Sequence, residues 1–352
     1  MFILDQIKKF CEDSLDIKLP AFRLKQIQLG FFDPSLESYL ELSTLPKDLR
    51  SKINDNFSWL SISSRRVFES RKKDTYKAVL QAQDNQLFES VLMQNNRGQW
   101  TICVSSQVGC AMGCTFCATG KMGLIRNLEA HEIIDQYRFW QKYLLDNQSI
   151  DQKRISNIVF MGMGEPMANY DNVKKAINVL LEYTDLGPTK ITVSSVGVLT
   201  NLNRLLTDES WPPVRIAISL HSPDELERKK IVPTSIPGFH EKLIEWSHAY
   251  SRAFASRAHH VTYEYTLING VNDRPQDAHA LGEFIAKTAI SKVNVIPLNP
   301  VSGTGFERSE ESRIKKFKDI VVSYGLDCTQ RKTMGDDIDA ACGQLAKLEG
   351  ES

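Results

Sequence analysis

From Trp100 onward, short apolar segments alternate with longer segments in which apolar residues recur at helical spacing. The apolar segments predict six strands, and the amphipathic segments predict six helices between and after them. The strands are expected at 101–104, 155–161, 191–194, 214–220, 261–268 and 293–297, and the helices at about 129–146, 171–183, 199–207, 238–254, 276–288 and 309–324. This alternation indicates an α/β fold in which right-handed crossovers curve a parallel sheet into an open, partial (β/α)6 barrel.

The first 60 residues show another pattern, short helical periods that end near Pro20 and Pro46. Basic residues stand beside apolar anchors there, which suits either an RNA-binding accessory domain or a helical cap with a solvated charged face. Residues 61–96 are expected to form a basic linker and a β-hairpin with strands at 77–83 and 88–93. The barrel is expected to span 97–346, followed by a short tail at 347–352.

Composition describes an ordinary globular protein. The 352 residues are 42% hydrophobic and 24% charged, with 43 basic and 43 acidic side chains, so net charge gives no nucleic-acid signal. Apolar runs stay well below the roughly 18 residues of a membrane span, and the first residues lack a secretory pattern. We therefore expect a cytoplasmic protein with no membrane contact, and a monomer.

Four of the seven cysteines lie close together in the sequence. Cys110, Cys114 and Cys117 follow the spacing C-x3-C-x2-C, so one loop can place three thiolates around one inorganic centre. Electron-transfer [4Fe–4S] clusters normally take four cysteines, so three ligands leave one iron open. A zinc site completed by Cys103 or by a distant histidine is the alternative. Phe116 completes a pattern that resembles the radical S-adenosylmethionine (SAM) enzymes, in which SAM chelates the open iron and one electron cleaves it to a 5′-deoxyadenosyl radical.

Polar or glycine-rich residues follow several of the predicted strands. In barrels of this type, active residues lie just past the carboxyl ends of the strands, so these residues are expected around one rim. Glycine lets the backbone approach a ligand, and the polar side chains can hold the ammonium, ribose and adenine groups of SAM. The candidates for SAM binding are Gly164, Glu165, Ser194, Ser219, Leu220, His221 and Asn299.

Longer motifs narrow the resemblance to one family. Cys-Val-Ser-Ser-Gln-Val-Gly-Cys at 103–110, Phe-Cys-Ala-Thr-Gly at 116–120, Met-Gly-Met-Gly-Glu at 161–165, Ser-Leu-His at 219–221 and Gly-Asp-Asp-Ile-Asp-Ala-Ala-Cys-Gly-Gln-Leu at 335–345 occur in this order. Together they resemble the RlmN/Cfr family of radical SAM RNA methyltransferases. The resemblance covers about residues 87–346 and, more loosely, the amino-terminal region.

The resemblance implies a mechanism with two SAM molecules. One SAM methylates Cys342. A second SAM, bound at the cluster of Cys110, Cys114 and Cys117, yields the radical that takes hydrogen from this methyl group, and the resulting methylene radical adds to adenine. Attack by Cys103 on the tether then releases the product and leaves a Cys103–Cys342 disulfide.

Two further residues bear on this mechanism. The adduct must lose a proton, and Glu89 lies near the family's glutamate for that role, although an edge-strand surface carboxylate is the alternative. Cys328 has no matching motif and is expected to be structural.

The resemblance also implies RNA substrates, namely an adenosine in the peptidyl-transferase loop of 23S rRNA and adenosine 37 of tRNA, and an electron donor such as flavodoxin. The sequence itself adds one basic segment, residues 50–77, with eight basic and three acidic side chains. Such a segment suits phosphate contacts, or a solvated hairpin face.

The position of the methyl group stays open at this stage. Gly-Asp-Asp at 335–337 and Pro166 resemble the RlmN branch, which methylates C2 of adenine. Met-Ala-Asn at 167–169 resembles the Cfr branch, which methylates C8, and Leu298 replaces a tryptophan common in RlmN. We expect C2 methylation, with C8 methylation, a zinc-dependent RNA-binding protein and a radical SAM enzyme for a small molecule as alternatives.

Overall fold

The computed structural model describes residues 3–254 and 260–345, so the predicted tail at 347–352 and residue 346 lie outside the described residues. Its strands are β1 Ile62–Glu69, β2 Thr75–Ala82, β3 Leu87–Gln94, β4 Trp100–Cys103, β5 Gln107–Gly109, β6 Leu124–Asn127, β7 Ile155–Phe160, β8 Ile191–Ser195, β9 Arg215–Ser219, β10 Val261–Leu267, β11 Ser291–Pro297 and β12 Asp327–Gln330. Its α-helices are α1 Ile3–Leu15, α2 Ala21–Phe31, α3 Lys47–Asn56, α4 Ala118–Met122, α5 Ala130–Asp146, α6 Tyr170–Tyr183, α7 Leu199–Thr207, α8 Glu225–Ile231, α9 Phe239–Ala253, α10 Pro275–Ala286 and α11 Glu311–Ser323.

One continuous sheet forms the centre of the molecule. Its order is β1-β2-β3-β4-β7-β8-β9-β10-β11-β12, and all pairings from β4 to β12 are parallel. Strands β1 to β4 pair in antiparallel fashion and extend the sheet on one side. The predicted open α/β barrel is therefore confirmed, with β12 as a further parallel strand at the other edge.

Two sheet strands differ from the sequence prediction. The segment predicted as a basic linker contains β1, whose middle residues are exposed, and β12 is only half-buried. Edge strands bury too few apolar side chains to produce the alternation by which a strand is recognised in a sequence. The helices α4 and α8 and the small β5–β6 ribbon were also not predicted.

The amino-terminal helices share a continuous hydrophobic core with the barrel. Arg138 of α5 connects the two regions, because its guanidinium donates to the carbonyls of Phe31 (2.6 Å) and Trp59 (2.7 Å) and pairs with Asp135 at 2.6 Å. Asp135 also accepts from the backbone N–H of Ser61 at 2.7 Å. A buried guanidinium with carbonyl and carboxylate partners fixes the helices against the barrel.

The last described residues, 331–345, are irregular apart from a short 3-10 helix at Asp336–Ile338, and we call them the Cys342 segment. Its Gly335 adopts a φ of +67°, and a Cβ there would lie 2.6 Å from Cγ2 of Thr75 in β2. Only glycine fits this close, left-handed turn. Within the part of the chain that the structure describes, no helix has the length and apolar character of a membrane span.

Candidate active site

The three cysteines predicted to bind a cluster lie in one loop, residues 110–117, which we call the cluster loop. It follows β5, where the N–H of Cys110 donates to the carbonyl of Gly123 at 2.9 Å. Gly109 permits this contact, since it has a φ of +73° and a Cβ there would lie 1.9 Å from the Gly123 oxygen. Further along, the N–H of Thr115 donates to the carbonyl of Ile231 at 3.0 Å. The loop is therefore fixed to the β5–β6 ribbon and to the end of α8.

The surroundings of these cysteines are apolar. Burial raises the pKa of Cys110 to about 12 and raises the pKa values of Cys114 and Cys117 as well, and the neighbouring cysteines raise them further. Thiolates so close together need a positive centre, which iron or another metal supplies.

The arrangement bears on which metal centre fits. Among the described residues, no group of three or more His, Cys, Asp or Glu side chains is arranged to hold a metal ion. In a cubane cluster each cysteine binds a different iron, so the three sulfurs need not converge on one point. Three thiols in one apolar loop fit the donor set of an iron–sulfur cluster.

The cluster loop forms one wall of a cleft of about 880 Å³ at the carboxyl ends of the strands. The structure brings most of the predicted SAM-binding residues to this cleft. Those that line it, with the three cysteines, are Gly164, Glu165, Ser194, Ser219, His221 and Asn299. Leu220 is fully buried and is not among the lining residues, and its backbone N–H and carbonyl already bond to Glu264 (3.0 Å) and Arg228 (3.0 Å).

Glu165 provides one of the two carboxylates that line the cleft, and Glu264 provides the other. Its two oxygens accept the backbone N–H groups of Met167 (2.9 Å) and Val196 (2.8 Å), which fixes the side chain between β7 and β8. Burial raises its pKa to about 6. A carboxylate has about four lone-pair sites, so it can accept further hydrogen bonds from a ligand's ammonium or hydroxyl groups.

His221 has an unusual backbone conformation. Its φ is +60°, a left-handed conformation that costs a non-glycine residue energy and often marks a functional site. Its Nδ1 accepts the N–H of Thr266 at 3.1 Å, and burial lowers its pKa to about 3, so the ring is neutral. The ring of Phe116 packs edge-on against it at 4.9 Å. The aromatic residue of the cysteine motif thus connects the cluster loop to the end of β9.

Asn299 joins the cleft to the Cys342 segment. Its Nδ2 donates to the carbonyl of Cys342 at 3.0 Å, whereas its buried Oδ1 has no hydrogen-bond partner among the described residues. A buried acceptor without a partner is costly, so this oxygen is available to a donor on a bound molecule, such as an adenine amino group. The cleft therefore fits SAM as well as a cluster.

Cys342 and Cys103 meet at a second cavity, next to the first. This cavity has a volume of about 840 Å³ and is lined by both cysteines and by Asn299 and Arg331. Cys342 also lines the cluster cleft, so it lies on the wall that the two spaces share. Its neighbour Gly343 accepts the N–H of Ala118, the residue after the cluster loop, at 2.8 Å.

Glu89 lines neither cavity, and it is fully buried. It pairs with Lys77 at 3.0 Å, and Nζ of Lys77 donates to the carbonyl of Asp339 in the Cys342 segment at 3.3 Å. The alternative of a surface carboxylate is therefore wrong. Val91 pairs with Cys103 across β3 and β4, so Glu89, two residues earlier, faces the same side of the sheet as Cys103.

Sequence reasoning missed two arginines of the site. Arg228 of α8 is buried and donates to the carbonyls of Leu220 (3.0 Å) and Val196 (2.5 Å) at the ends of the strands. Arg331 lines both cavities. No signal in the sequence distinguishes such residues from exposed cations, because their burial depends on tertiary contacts.

Comparisons with known proteins identify the family. The Radical SAM superfamily matches residues 104–281. The chain is 37% identical over 342 residues to the ribosomal RNA large subunit methyltransferase N of Nitrosopumilus maritimus, covering 94% of each chain. It is 35% identical to the probable dual-specificity RNA methyltransferase RlmN of Aquifex aeolicus, covering 98% of this chain and 95% of that protein.

A solved structure shows the same fold. The crystal structure of a radical SAM methyltransferase from Sphaerobacter thermophilus matches with a TM-score of 0.88 at 33% identity, over 98% of this chain and 97% of that one. The family expected from the motifs is thereby confirmed. The chain belongs to the RlmN family of radical SAM RNA methyltransferases.

Proposed function

We propose that the protein methylates C2 of an adenosine in 23S rRNA and of adenosine 37 in tRNA, through a methylated Cys342 and a transient Cys103–Cys342 disulfide. The observation that carries the proposal is the position of Cys342 on the wall between the cluster cleft and the Cys103 cavity. In this mechanism Cys342 receives a methyl group from the cluster cleft and is attacked by the Cys103 thiolate from the second cavity. Its side chain must therefore face both spaces.

The cofactors would be held by the residues that line the cleft. Cys110, Cys114 and Cys117 would bind one [4Fe–4S] cluster, and the polar rim from Gly164 to Asn299 would hold SAM. When bound, the two supply one-electron chemistry that removes hydrogen from a methyl group, with the electron coming from a donor such as flavodoxin. We expect the protein to act in the cytoplasm as a monomer.

The two further cysteines have separate tasks. Cys342 takes a methyl group on its sulfur, and after this methyl group loses one hydrogen atom its carbon bonds to adenine. The adduct then gives up one proton, and one electron that the cluster would accept. The Cys103 thiolate then attacks the Cys342 sulfur. The sulfur–sulfur bond forms as the sulfur–carbon bond breaks, and its electron pair goes to the carbon and is protonated, which completes the methyl group. The disulfide must be reduced before the next turnover.

Glu89 would take the proton that the adduct carbon loses. Its place on the face that carries Cys103, and its connection through Lys77 to the Cys342 segment, support this role. A buried carboxylate beside an ammonium group is held in one position, as a general base requires.

The exposed basic residues of β1 and of the turn between β1 and β2 support RNA as the substrate. Arg65, Arg66 and the turn at 71–73 are exposed, and the backbone N–H of Arg71 donates to Asp337 of the Cys342 segment at 2.8 Å. An exposed basic surface therefore adjoins the Cys342 segment, which suits phosphate binding. Lys77, which was counted with this basic segment, is buried and does not contribute to the surface.

Mass spectrometry of nucleosides tests the proposal. Unmodified 23S rRNA and tRNA are incubated with reconstituted enzyme, SAM and a reductant, and 2-methyladenosine is expected from both. Formation of 8-methyladenosine would instead assign the C8 branch. Thiolate-bound iron–sulfur clusters absorb near ~400 nm. If no modified nucleoside forms and the anaerobically purified protein lacks this absorbance, the zinc-dependent RNA-binding protein is favoured. If a cluster is present and RNA stays unmodified, a small-molecule substrate becomes the better explanation.

A further inference from the structure

Arg331 occupies a central position that the mechanism above leaves unused. It directly follows β12, and its backbone N–H donates to the carbonyl of Val295 in β11 at 2.8 Å. Its side chain lines the cluster cleft, the Cys103 cavity and a third cavity of about 620 Å³ near the amino ends of the strands. The guanidinium therefore lies where these three spaces meet.

The contacts of this guanidinium are weak ones. Its Nη1 lies 2.9 Å from the sulfur of Met161 and 3.8 Å from a carboxylate oxygen of Glu264. Glu264 itself accepts from Nδ2 of Asn294 at 2.9 Å. A thioether is a poor acceptor and 3.8 Å is too long for a hydrogen bond, so the five N–H donors of the guanidinium retain capacity for an anion in the cavities.

Cys103 is the group in the second cavity that needs a cation. Burial raises its pKa to about 12, and Cys342 raises it further, whereas Arg331 and the backbone N–H of Met161 lower it. The other charged groups near this face are Lys332, Glu264 and the Lys77–Glu89 pair. Lys332 lines the same cavity, and its Nζ donates to Oδ1 of Asn96 at 3.3 Å. Glu264 lies beside Arg331, and the Lys77–Glu89 pair balances its own charge. Cys342 is exposed, and in the adduct its sulfur is bonded to carbon, so it carries no charge when Cys103 attacks.

We propose that Arg331 is a positioning residue that serves as the counter-cation of the Cys103 thiolate when Cys103 attacks the sulfur of the Cys342–RNA adduct. The inference rests on the proposed function and adds a residue to its last step. The thiolate donates its electron pair to the Cys342 sulfur, the sulfur–carbon bond breaks, and the carbon takes the pair and a proton. Arg331 exchanges no atoms or electrons and stabilises the anion before the attack.

The test follows adduct formation and adduct release separately, in full-length enzyme with its cluster, SAM, reductant and RNA. Arg331→Gln removes the cation and Arg331→Lys keeps one. Lys292→Gln is the matched control, because it removes an exposed cation that pairs with Asp327 between the same two strands, away from the cysteines. Each substitution is also combined with Cys103→Ala, in which release is blocked and only adduct formation is measured.

Arg331→Gln is expected to form the adduct within about threefold of the wild-type rate and to release it at least tenfold more slowly, with each tenfold corresponding to about 1.4 kcal/mol. Raising the pH from 7 to 9.5 should restore much of the release rate, because the thiolate becomes more populated. Arg331→Lys should release at an intermediate rate, and Lys292→Gln at the wild-type rate.

Three outcomes would overturn the inference. Release by Arg331→Gln at the wild-type rate excludes a role in this step. An equal loss in adduct formation and release, without recovery at high pH, assigns Arg331 to folding or to an RNA phosphate. Absence of both adduct and product in the wild-type enzyme contradicts the proposed function itself, and the wild-type control distinguishes that failure from the others.

Discussion

Cys103 and Cys342 belong to two regions that hold their sulfur atoms in different ways. Cys103 is 5% exposed and ends β4, which is hydrogen-bonded to β3 on one side and β7 on the other. Cys342 is exposed and lies in an irregular segment. The position of Cys103 follows from the register of the whole sheet, whereas that of Cys342 depends on a few separate contacts.

These contacts connect the Cys342 segment both to the cluster loop and its neighbours and to the sheet. The Cys342 segment is tied to the cluster side through Ala118, Thr119 and Asn299, and to the sheet side through Lys77. A change in any one of them should displace Cys342 while leaving Cys103 in place. The comparison therefore predicts that activity and stability can be altered independently in the two regions.

The largest effect is expected from Cys342→Ala. Without this sulfur there is no methyl carrier, so protein methylation, RNA adduct and methylated nucleoside should all fall below detection in single-turnover mass spectrometry. Cys328→Ala is the matched control, since Cys328 is a half-buried cysteine of β12 that lines neither of the two cavities. Methylation by Cys342→Ala at the level of Cys328→Ala would remove Cys342 from the mechanism.

A second effect concerns the ion pair that connects the two regions. Lys77→Met removes the ammonium from a fully buried carboxylate, and breaking a buried pair in this way costs about 3–5 kcal/mol. Denaturant unfolding should show this loss, and Lys77→Met/Glu89→Leu should recover most of it without recovering product. If Lys77→Met is as stable as the wild type, the pair is exposed to water in solution, which contradicts its burial in the structure.

Gly335→Ala tests whether the turn in the Cys342 segment needs glycine. The added Cβ would meet Thr75 at 2.6 Å in a left-handed backbone, for which strain and overpacking together cost about 3 kcal/mol. Gly270→Ala is the control, because Gly270 has a φ of +70° but no atom within 4 Å of the added Cβ. Thermal unfolding should separate the two variants, and methylation should fall only in Gly335→Ala. Equal losses of stability in Gly335→Ala and Gly270→Ala would mean that backbone strain alone, and not the contact with Thr75, accounts for the effect.

The smallest effect is a pH dependence of the free energy of unfolding, which arises from His221. The folded-state pKa of His221 is lowered to about 3, so below pH 6.5 the unfolded chain binds a proton that the folded chain does not. The free energy of unfolding therefore falls as pH falls, by about 2 kcal/mol between pH 6.5 and 5. Glu165, with its pKa raised to about 6, acts in the opposite sense between pH 6 and 4.5.

The histidine contribution is isolated by comparing wild type with His221→Gln across this pH range. The wild-type protein should lose stability relative to the variant as the pH is lowered. A difference between the two that does not change with pH would show that His221 is protonated in the folded protein.

The sequence predicted the regions in which local patterns and burial agree. Strands β7 to β11 and their helices were placed within a few residues, because both elements bury one regular apolar face. The cysteine spacing and the glycine and polar residues after the strands likewise led to the cleft. Family motifs located Cys342, although its exposed side chain in an irregular segment has no periodicity to signal it.

The remaining features depend on contacts between distant parts of the chain. Strand β12 is short and half-buried, so nothing in its sequence places Arg331 at the cavities. Lys77 and Glu89 alternate with apolar residues as solvent-facing residues of an edge strand would, yet the Cys342 segment and the sheet enclose them. Charge patterns alone do not distinguish a buried ion pair from a surface one.

The most direct test of the central claim uses Cys103→Ala with unmodified RNA. This variant keeps Cys342 as carrier and removes the thiolate that releases it, so a covalent protein–RNA adduct should accumulate. After nuclease and protease digestion, mass spectrometry should find adenosine joined through one carbon to the peptide that contains Cys342. Methylated adenosine released at the wild-type rate, with no adduct on that peptide, would contradict the account.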